Sequence, residues 1–181
     1  GFIGENGAGK STTMNIICNI IPKDSGVITL NDGNPVKVGY LPENPMLFNY
    51  MTANEYLSYI AACCKYKGDV KERNKELLEL VNLTGAADRK IKGYSRGMNQ
   101  RLGIASILYN EPDIIILDEP TSALDPQGRM DVINLLKILK EQNKTVILST
   151  HILSDVERIA DTVGILVGGQ IVLEKSLSEL I

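Results

Sequence analysis

Apolar and polar positions follow two different spacings along this chain. Short runs of apolar residues predict strands at 27–30, 36–41, 114–117, 145–148, 163–167 and 171–173. Apolar residues three or four positions apart predict helices at 10–21, 52–87, 98–110 and 130–140. Strands that alternate with helices in this way indicate an α/β fold with a mainly parallel sheet.

Turn-forming residues separate these elements. The segment 31–35 divides the first two candidate strands, and 67–69 splits 52–87 into two helices. Gly168 and Gly169 predict a hairpin that leads into the last strand. The 181 residues include 44% hydrophobic side chains and no low-complexity linker, which indicates a domain with a substantial core.

Charge and cysteine content argue against several classes of function. The chain carries 19 basic and 22 acidic residues, whereas proteins that bind nucleic acid usually present a basic face, so we expect no nucleic-acid partner. The cysteines, Cys18, Cys63 and Cys64, have no metal-binding spacing and are interpreted as reduced thiols. No apolar run reaches membrane-spanning length, so a role in a membrane would require another chain.

The most specific motif lies close to the first residue. Residues 4–11 fit G-x-x-x-x-G-K-[ST], in which glycines let successive backbone N–H groups face phosphate oxygens. Lys10 supplies a charge for the β- and γ-phosphates, and Ser11 supplies a hydroxyl for Mg²⁺. The helix that follows directs its positive end at the same anion. The nucleotide-binding residues predicted from this loop are Gly4, Asn6, Gly7, Ala8, Gly9, Lys10, Ser11 and Thr12.

This loop begins unusually early in the chain. A phosphate-binding loop should follow a buried strand, yet only Gly1, Phe2 and Ile3 precede it, and there is no initiator Met. We therefore interpret the chain as a fragment that lacks the N-terminal portion of its protein.

Two carboxylates follow the apolar strand at 114–117. Asp118 and Glu119 would lie at the carboxyl end of that strand, the edge at which open α/β sheets bind ligands. Asp118 would hold Mg²⁺ through water, and Glu119 would polarise the attacking water as a general base. An acidic turn after a core strand is the alternative, and the phosphate-binding loop makes it the weaker explanation.

His151 is the only histidine in the chain and follows the strand predicted at 145–148. A single histidine is more often structural than catalytic. Its expected place, on the same sheet edge as Asp118 and Glu119, favours a contact with the γ-phosphate instead.

Further motifs give the chain a resemblance to the ATP-binding cassette (ABC) ATPases, the motor subunits of ABC transporters. Residues 94–101 resemble the family signature L-S-G-G-Q, 122–125 the D-loop and 39–43 the Q-loop, while His151 matches the switch histidine. The motifs occur in the family's order over essentially the whole chain.

The resemblance implies a fold and a division of the chain. The expected fold is a P-loop NTPase fold of the ABC ATPase type, with a mainly parallel sheet flanked by helices. Residues 1–181 would form one ABC ATPase domain whose N-terminal strands are missing. Its RecA-like core would comprise 1–43 and 96–181, and an inserted helical subdomain would comprise 44–95.

The resemblance also implies an ATPase that works as a head-to-tail dimer of two such domains. ATP bound to one domain would contact Ser95 and Gly97 of the other, and Asp125 would cross the interface. The implied catalytic residues are Lys10, Glu119 and His151. The implied Mg²⁺ ligands are Ser11, Glu43 and Asp118.

Three positions depart from the usual family motifs. Glu43 replaces the usual Gln of the Q-loop and adds negative charge near the γ-phosphate. Arg96 replaces the first Gly of the signature and Met98 replaces its Gln, whereas Ser95 and Gly97 are kept. This Y-S-x-G-M form resembles the branch of the family that powers ABC-2-type exporters.

The resemblance implies coupling to a separate membrane-spanning permease subunit, at the cytoplasmic face of the cell membrane. The loop at 45–51 contains Met and aromatic residues that suit contact with a helix of such a subunit or, equally, closure of the helical subdomain.

The alternative function is a soluble ABC-type ATPase in translation or DNA maintenance. The short distance between Glu43 and Ser95 leaves no room for the coiled-coil arms of chromosome and repair ATPases. A nucleotide kinase, a third class, would need neither Glu119 nor the signature.

Overall fold

The computed structural model describes residues 1–180, which contain one six-stranded sheet. In sheet order the strands are β2 (Val38–Leu41), β3 (Ile114–Leu117), β4 (Thr145–Thr150), β1 (Phe2–Ile3), β5 (Thr162–Val167) and β6 (Gln170–Ser176). The first five run parallel, and β6 pairs antiparallel with β5 after the turn at Gly168 and Gly169. The predicted α/β fold, mainly parallel sheet and hairpin are confirmed.

Helices cover both faces of the sheet. They are α1 (Lys10–Ile17), α2 (Ala53–Cys63), α3 (Val70–Leu80), α4 (Arg96–Leu108), α5 (Pro126–Glu141) and α6 (Leu153–Ile159). Ile114 and Ile116 of β3 pack with Met14 of α1, whereas Ile115 and Leu117 belong to the larger core with α4 and α5. Because both faces of β3 are buried, its sequence is apolar without interruption. Within residues 1–180, no helix has both the length and the apolar character needed to cross a membrane.

The register of the parallel strands brings the predicted motifs to one edge of the sheet. Leu41 lies opposite Leu117, Leu117 lies opposite Leu148, and Ile3 lies opposite Thr150. The phosphate-binding loop, the Q-loop, the carboxylate pair and the histidine each follow one of these four strands. All four therefore meet at the carboxyl edge, where ligands bind in open α/β sheets.

Residues 44–95 contain α2, α3 and short 3₁₀ turns. A capping box opens α2, in which Thr52 Oγ1 accepts the N–H of Glu55 and the Glu55 carboxylate accepts the N–H of Thr52. Asp69 opens α3 by accepting the N–H of Glu72. These caps explain why the polar break separates two helices, as predicted. The division of the chain into a core and a helical subdomain stays a prediction.

Some predicted element boundaries are wrong. Helix α1 ends at Ile17 rather than at 21, because Asn19 has a left-handed φ of 56° that a right-handed helix cannot continue. The segment 27–30 is not a strand; its Val27 side chain is 87% exposed, and it pairs with no strand in the described part of the chain. Strand β2 begins at Val38 rather than at 36, and α6 is a short helix that the apolar spacing did not predict.

Candidate active site

The phosphate-binding loop connects β1 to α1 and takes its shape from two glycines. Gly7 and Gly9 have φ values of 84° and 100°, which residues with a side chain rarely adopt. The carbonyl oxygen of Ala8 accepts a hydrogen bond from the N–H of Gly169 at 2.9 Å, which ties the loop to the β5–β6 hairpin. Among the described residues no side chain caps α1, so its first N–H groups are available to an anion.

Lys10 lies in the first turn of α1 and is only 6% exposed. Its Nζ donates hydrogen bonds to the carbonyl oxygens of Gly4 at 2.7 Å and Glu5 at 3.1 Å. The same nitrogen lies 3.2 Å from Oε1 of Glu119, which makes an ion pair between two buried side chains. The ammonium group is thus held inside the loop, next to the predicted general base.

Glu119 is also in contact with His151. The imidazole Nδ1 lies 2.9 Å from Oε2 of Glu119, with the carboxylate side chain 7% exposed and the imidazole 44% exposed. The backbone of Glu119 has a left-handed φ of 47°, a conformation that costs a non-glycine residue about 1–3 kcal/mol. Within residues 1–180 nothing donates a hydrogen bond to the buried Oε1, since its ion pair with Lys10 lacks hydrogen-bond geometry. The polar contact of this oxygen is the ion pair with Nζ of Lys10.

Ser149 of β4 is a site residue that the sequence motifs do not reveal. Its Oγ donates to Oδ1 of Asp118 at 2.6 Å and accepts the N–H of Glu119 at 2.9 Å. The hydroxyl thus fixes both carboxylate residues at the end of β3. Burial, and secondarily the charge of Asp118, raises the pKa of the Tyr40 hydroxyl to about 12, so Tyr40 remains neutral beside this carboxylate.

A cleft of about 290 Å³ lies over the phosphate-binding loop. It brings together most of the predicted binding residues, and its lining consists of Asn6, Gly7, Gly9, Lys10, Ser11, Thr12, Glu43 and Glu119. Two carboxylates and one ammonium group therefore share this cleft. Asp118 and His151 adjoin it through Ser149 and Glu119.

Two of the departures from the family motifs are neighbours in space. Nη2 of Arg96 donates to Oδ1 of Asn44 at 3.0 Å and lies 4.0 Å from Oε1 of Glu43. Both charged side chains are nearly half exposed, so this pair adds little to stability. The guanidinium group of Arg96 nevertheless places a positive charge beside the carboxylate of Glu43, the residue that replaces the usual Gln of the Q-loop.

Ser95, Gly97 and Asp125 do not line the cleft. Ser95 caps α4, since its Oγ accepts the N–H of Met98 at 3.2 Å. Gly97 is buried against α5, where an added Cβ would lie 3.3 Å from Cα of Gly128. Asp125 is exposed at the beginning of α5. The structure therefore does not bring these three predicted residues to the phosphate loop of their own chain.

Gly4→Ala is expected to distort the loop. A Cβ at Gly4 would lie 2.6 Å from the carbonyl oxygen of Leu166 on β5, so the backbone must shift. We expect the free energy of unfolding to fall by about 1–3 kcal/mol and ATP binding, measured by calorimetry, to weaken. Gly85→Ala is the matched control, because nothing lies within 4 Å of a Cβ there. Equal stability and affinity in the two variants would contradict this packing argument.

The residues around the cleft fit a nucleoside triphosphate with Mg²⁺. The uncapped start of α1 and the ammonium group of Lys10 suit phosphate oxygens. Residues 1–180 contain no group of three or more His, Cys, Asp or Glu side chains placed so that they could hold a metal ion by themselves. Mg²⁺ beside phosphates needs only one or two protein oxygens, because phosphate oxygens and water complete its shell. Ser11 and Asp118 can supply them.

Fold and site together define a P-loop nucleotide-binding protein. Comparison with protein families shows that the model described as "ABC transporter" matches residues 1–122. The matched region contains the phosphate-binding loop, the signature segment and the carboxylate pair. The chain belongs to the ABC transporter family, as an ATP-binding domain.

Named relatives and solved structures agree with this assignment. The lantibiotic transport ATP-binding protein SrtF of Streptococcus pyogenes is 38% identical, over 96% of this chain and 77% of SrtF. The linearmycin resistance ATP-binding protein LnrL of Bacillus subtilis is 37% identical, over 95% of this chain and 58% of LnrL. A solved structure of the ATP-binding cassette MJ0796 shows a post-hydrolysis dimer bound to ADP and Pi. It superposes on this chain with a TM-score of 0.84 at 28% sequence identity, and the match covers 97% of this chain and 84% of the MJ0796 chain. The chain spans only 54% to 62% of the length of other curated relatives.

Proposed function

We propose that this chain is the ATP-hydrolysing part of an ABC transporter that drives export through a separate membrane subunit. The observation that carries the proposal is the position of Glu119. Its buried carboxylate lies 3.2 Å from Nζ of Lys10 and 2.9 Å from Nδ1 of His151, beside the phosphate-binding loop. A carboxylate held between a phosphate-binding lysine and an imidazole suits the activation of a water molecule for attack on a γ-phosphate.

We propose different roles for the two carboxylate oxygens of Glu119. His151 contacts Oε2, and Oε1, which pairs with Nζ of Lys10, would accept a proton from the attacking water. The water oxygen bonds to the γ-phosphorus while the bond from that phosphorus to the bridging oxygen of ADP breaks. The proton passes to Glu119, and Lys10 balances the charge on the phosphates.

Mg²⁺, when bound, would neutralise charge on the β- and γ-phosphates. Ser11 would bind it directly, and Asp118 would do so through water. Ser149 engages Oδ1 of Asp118, which leaves Oδ2 available for this contact. Glu43 lines the same cleft and would contribute a further oxygen.

A second ATPase domain would complete the site. Ser95 and Gly97 do not line the cleft of their own chain, and Asp125 is exposed at the end of its loop. These positions suit contact with the nucleotide and backbone of a facing domain. The MJ0796 structure is a dimer bound to ADP and Pi, which supports this arrangement.

A transport role is favoured over the soluble alternative. The relatives SrtF and LnrL are named for lantibiotic transport and linearmycin resistance. Residues 44–95 hold two helices of 11 residues each, and the described chain contains no coiled-coil arm of the kind found in chromosome ATPases. We propose that the chain lies at the cytoplasmic face of the membrane by binding a permease subunit.

The surface proposed to bind the permease is an aromatic patch formed by Met46, Phe48, Tyr50 and Tyr59. The ring of Phe48 lies 5.8 Å from that of Tyr50 and 5.2 Å from that of Tyr59. Phe48 also packs against the core, whereas Met46 is 93% exposed and Tyr50 is 69% exposed. Phe48 therefore covers part of the core, whereas the side chains of Met46 and Tyr50 are exposed and accessible to a partner.

The double variant Met46→Ser, Tyr50→Ala should weaken binding between this ATPase chain and the proposed permease subunit. Both side chains are exposed, so we expect an unchanged Tm and unchanged basal ATP hydrolysis. Co-purification with the proposed permease subunit, measured from detergent extracts, should fall at least tenfold, about 1.4 kcal/mol. Val172→Ser, at a 60% exposed apolar residue on β6, is the control. Undiminished co-purification of the double variant would exclude the aromatic patch as the docking surface.

The proposed function as a whole is tested with the full-length protein. It should hydrolyse ATP in the presence of Mg²⁺, and reconstitution with its proposed permease subunit in proteoliposomes should stimulate hydrolysis. A folded protein without ATPase activity in either preparation would overturn the proposal.

A further inference from the structure

A buried ion pair lies beside the active site and takes no part in the mechanism above. Asp155, in the first turn of α6, is 1% exposed. Nε of Arg129 on α5 donates to its Oδ1 at 2.7 Å, and Oγ1 of Thr121 donates to its Oδ2 at 2.6 Å. Arg129 also donates through Nη2 to Oγ of Ser154. Both carboxylate oxygens of Asp155 are therefore satisfied, one of them by a charged donor.

This Asp155 cluster, formed by Asp155, Arg129 and Thr121, joins two segments that carry predicted catalytic residues. Thr121 lies two residues after Glu119, in a turn closed by a hydrogen bond from the N–H of Ser122 to the carbonyl oxygen of Glu119. Asp155 lies four residues after His151. The segments after β3 and β4 already meet through the contact between His151 and Glu119, and the Asp155 cluster is a second connection between them.

The direct contact between the two segments depends on support from elsewhere. The His151 side chain is 44% exposed, so water competes for the hydrogen bond between Nδ1 and Glu119. The left-handed backbone at Glu119 persists only where the surrounding structure imposes it. A buried, charge-assisted cluster is the stronger of the two connections.

We propose that Asp155 is a positioning residue for ATP hydrolysis, because its cluster with Arg129 and Thr121 sets the distance between His151 and Glu119. The inference rests on the catalytic roles proposed above for these two residues. Thr121 links Asp155 to the turn after Glu119, and Arg129 pairs with the buried carboxylate. Since Arg129 lies on α5, which begins next to Asp125, the cluster also connects the general base to the segment proposed to meet a second ATPase domain.

Thr121→Val in the full-length protein tests the hydrogen bond that links Asp155 to the turn after Glu119. The change keeps the branched shape, removes the hydroxyl and leaves the Asp155–Arg129 pair in place. We expect kcat for ATP hydrolysis to fall at least about tenfold with little change in KM, because the cluster does not line the phosphate cleft. Thr121→Ser should recover most of kcat. Thr145→Val, at an exposed residue on the opposite end of β4, should leave kcat unchanged.

A spectroscopic readout separates positioning from a purely structural role. His151 is the only histidine among these 181 residues, and comparison of ¹⁵N-labelled full-length protein with a His151→Gln variant identifies its pair of imidazole nitrogen signals. In Thr121→Val we expect the Nδ1 signal to move toward that of a solvent-exposed imidazole, whereas Thr145→Val should keep the wild-type signal. A variant that lost only stability would show a lower Tm and an unchanged signal in its folded fraction. Wild-type kcat and a wild-type His151 signal in folded Thr121→Val would overturn the inference.

Arg129→Lys is the second variant if Thr121→Val does not fold. It keeps the positive charge, but the ammonium group cannot reproduce the planar donors of the guanidinium. The same displacement of the His151 signal is expected, and an unchanged signal would again count against the cluster.

Glu119→Gln distinguishes a failure of this inference from a failure of the proposed function. If that variant hydrolyses ATP normally, the catalytic assignment is wrong, and the His151 signal alone decides whether the cluster positions the imidazole. If Glu119→Gln is inactive while Thr121→Val matches the wild type in kcat and in the His151 signal, only the positioning role is wrong.

Discussion

Glu119→Gln in the full-length protein is expected to abolish steady-state ATP hydrolysis while ATP stays bound. The change keeps the size of the side chain and removes the proton acceptor, and loss of a general base lowers kcat by about 10²–10⁴-fold. The neutral amide also removes a negative charge from the cleft, where Lys10 Nζ keeps its bonds to the carbonyl oxygens of Gly4 and Glu5. We therefore expect an ATP-bound dimer to accumulate, measured by light scattering alongside phosphate release.

Glu157→Gln is the matched control for this experiment. Glu157 is an exposed carboxylate on α6, so its replacement should leave turnover and the monomer–dimer equilibrium unchanged. Wild-type turnover in Glu119→Gln would contradict the role proposed for this carboxylate.

Lys10→Ala has the second large effect, because it weakens ATP binding itself. The ammonium group contacts the phosphates in the ground state as well as in the transition state, so its loss appears in affinity and in turnover. A charged hydrogen bond contributes about 1.5–3 kcal/mol, which corresponds to roughly a tenfold to hundredfold loss of affinity. The variant also leaves the Glu119 carboxylate buried without its positive partner, so a lower Tm should accompany the weaker binding.

Calorimetric titration of ATP into the full-length protein measures this loss. Lys137→Ala, at an exposed lysine of α5, removes the same charge away from the cleft and should bind ATP normally. Equal affinities of Lys10→Ala and Lys137→Ala would show that the ammonium group does not bind the phosphates.

Lys10 and Glu119, two of the proposed catalytic residues, are recognisable in the sequence because each lies within a contiguous motif. The glycines of the phosphate loop must be adjacent to Lys10, since the loop and the first turn of α1 bind one anion together. The carboxylates must directly follow a buried strand to reach the ligand-binding edge, and the predicted strand 114–117 has the bounds of β3 in the structure. Local spacing therefore carries most of the information about this part of the site.

Apolar spacing predicts elements less well where tertiary contacts create or remove them. The run at 27–30 has strand-forming residues but pairs with no strand in the described part of the chain, and a strand needs neighbouring hydrogen-bond partners. Helix α5 begins at Pro126, ahead of the predicted residue 130, because a proline at the first position starts a helix without contributing to its apolar stripe.

Residues far apart in the sequence escape prediction for a related reason. Ser149 binds both Asp118 and Glu119 only because β4 lies next to β3 in the sheet. The order of the strands along the chain does not determine which strands are neighbours in the sheet. Gly169 reaches Ala8 through the same folding of distant strands.

The local motifs thus establish the family, the chemistry of the phosphate cleft and the residues expected to act in it. The packing of α5 and α6 against the sheet establishes how those residues are held. Asp155, Arg129 and Thr121 are common side chains without a motif of their own, and burial at hydrogen-bond distance is what makes them a unit. A contact of that kind depends on three-dimensional proximity, which residue spacing along the chain does not record.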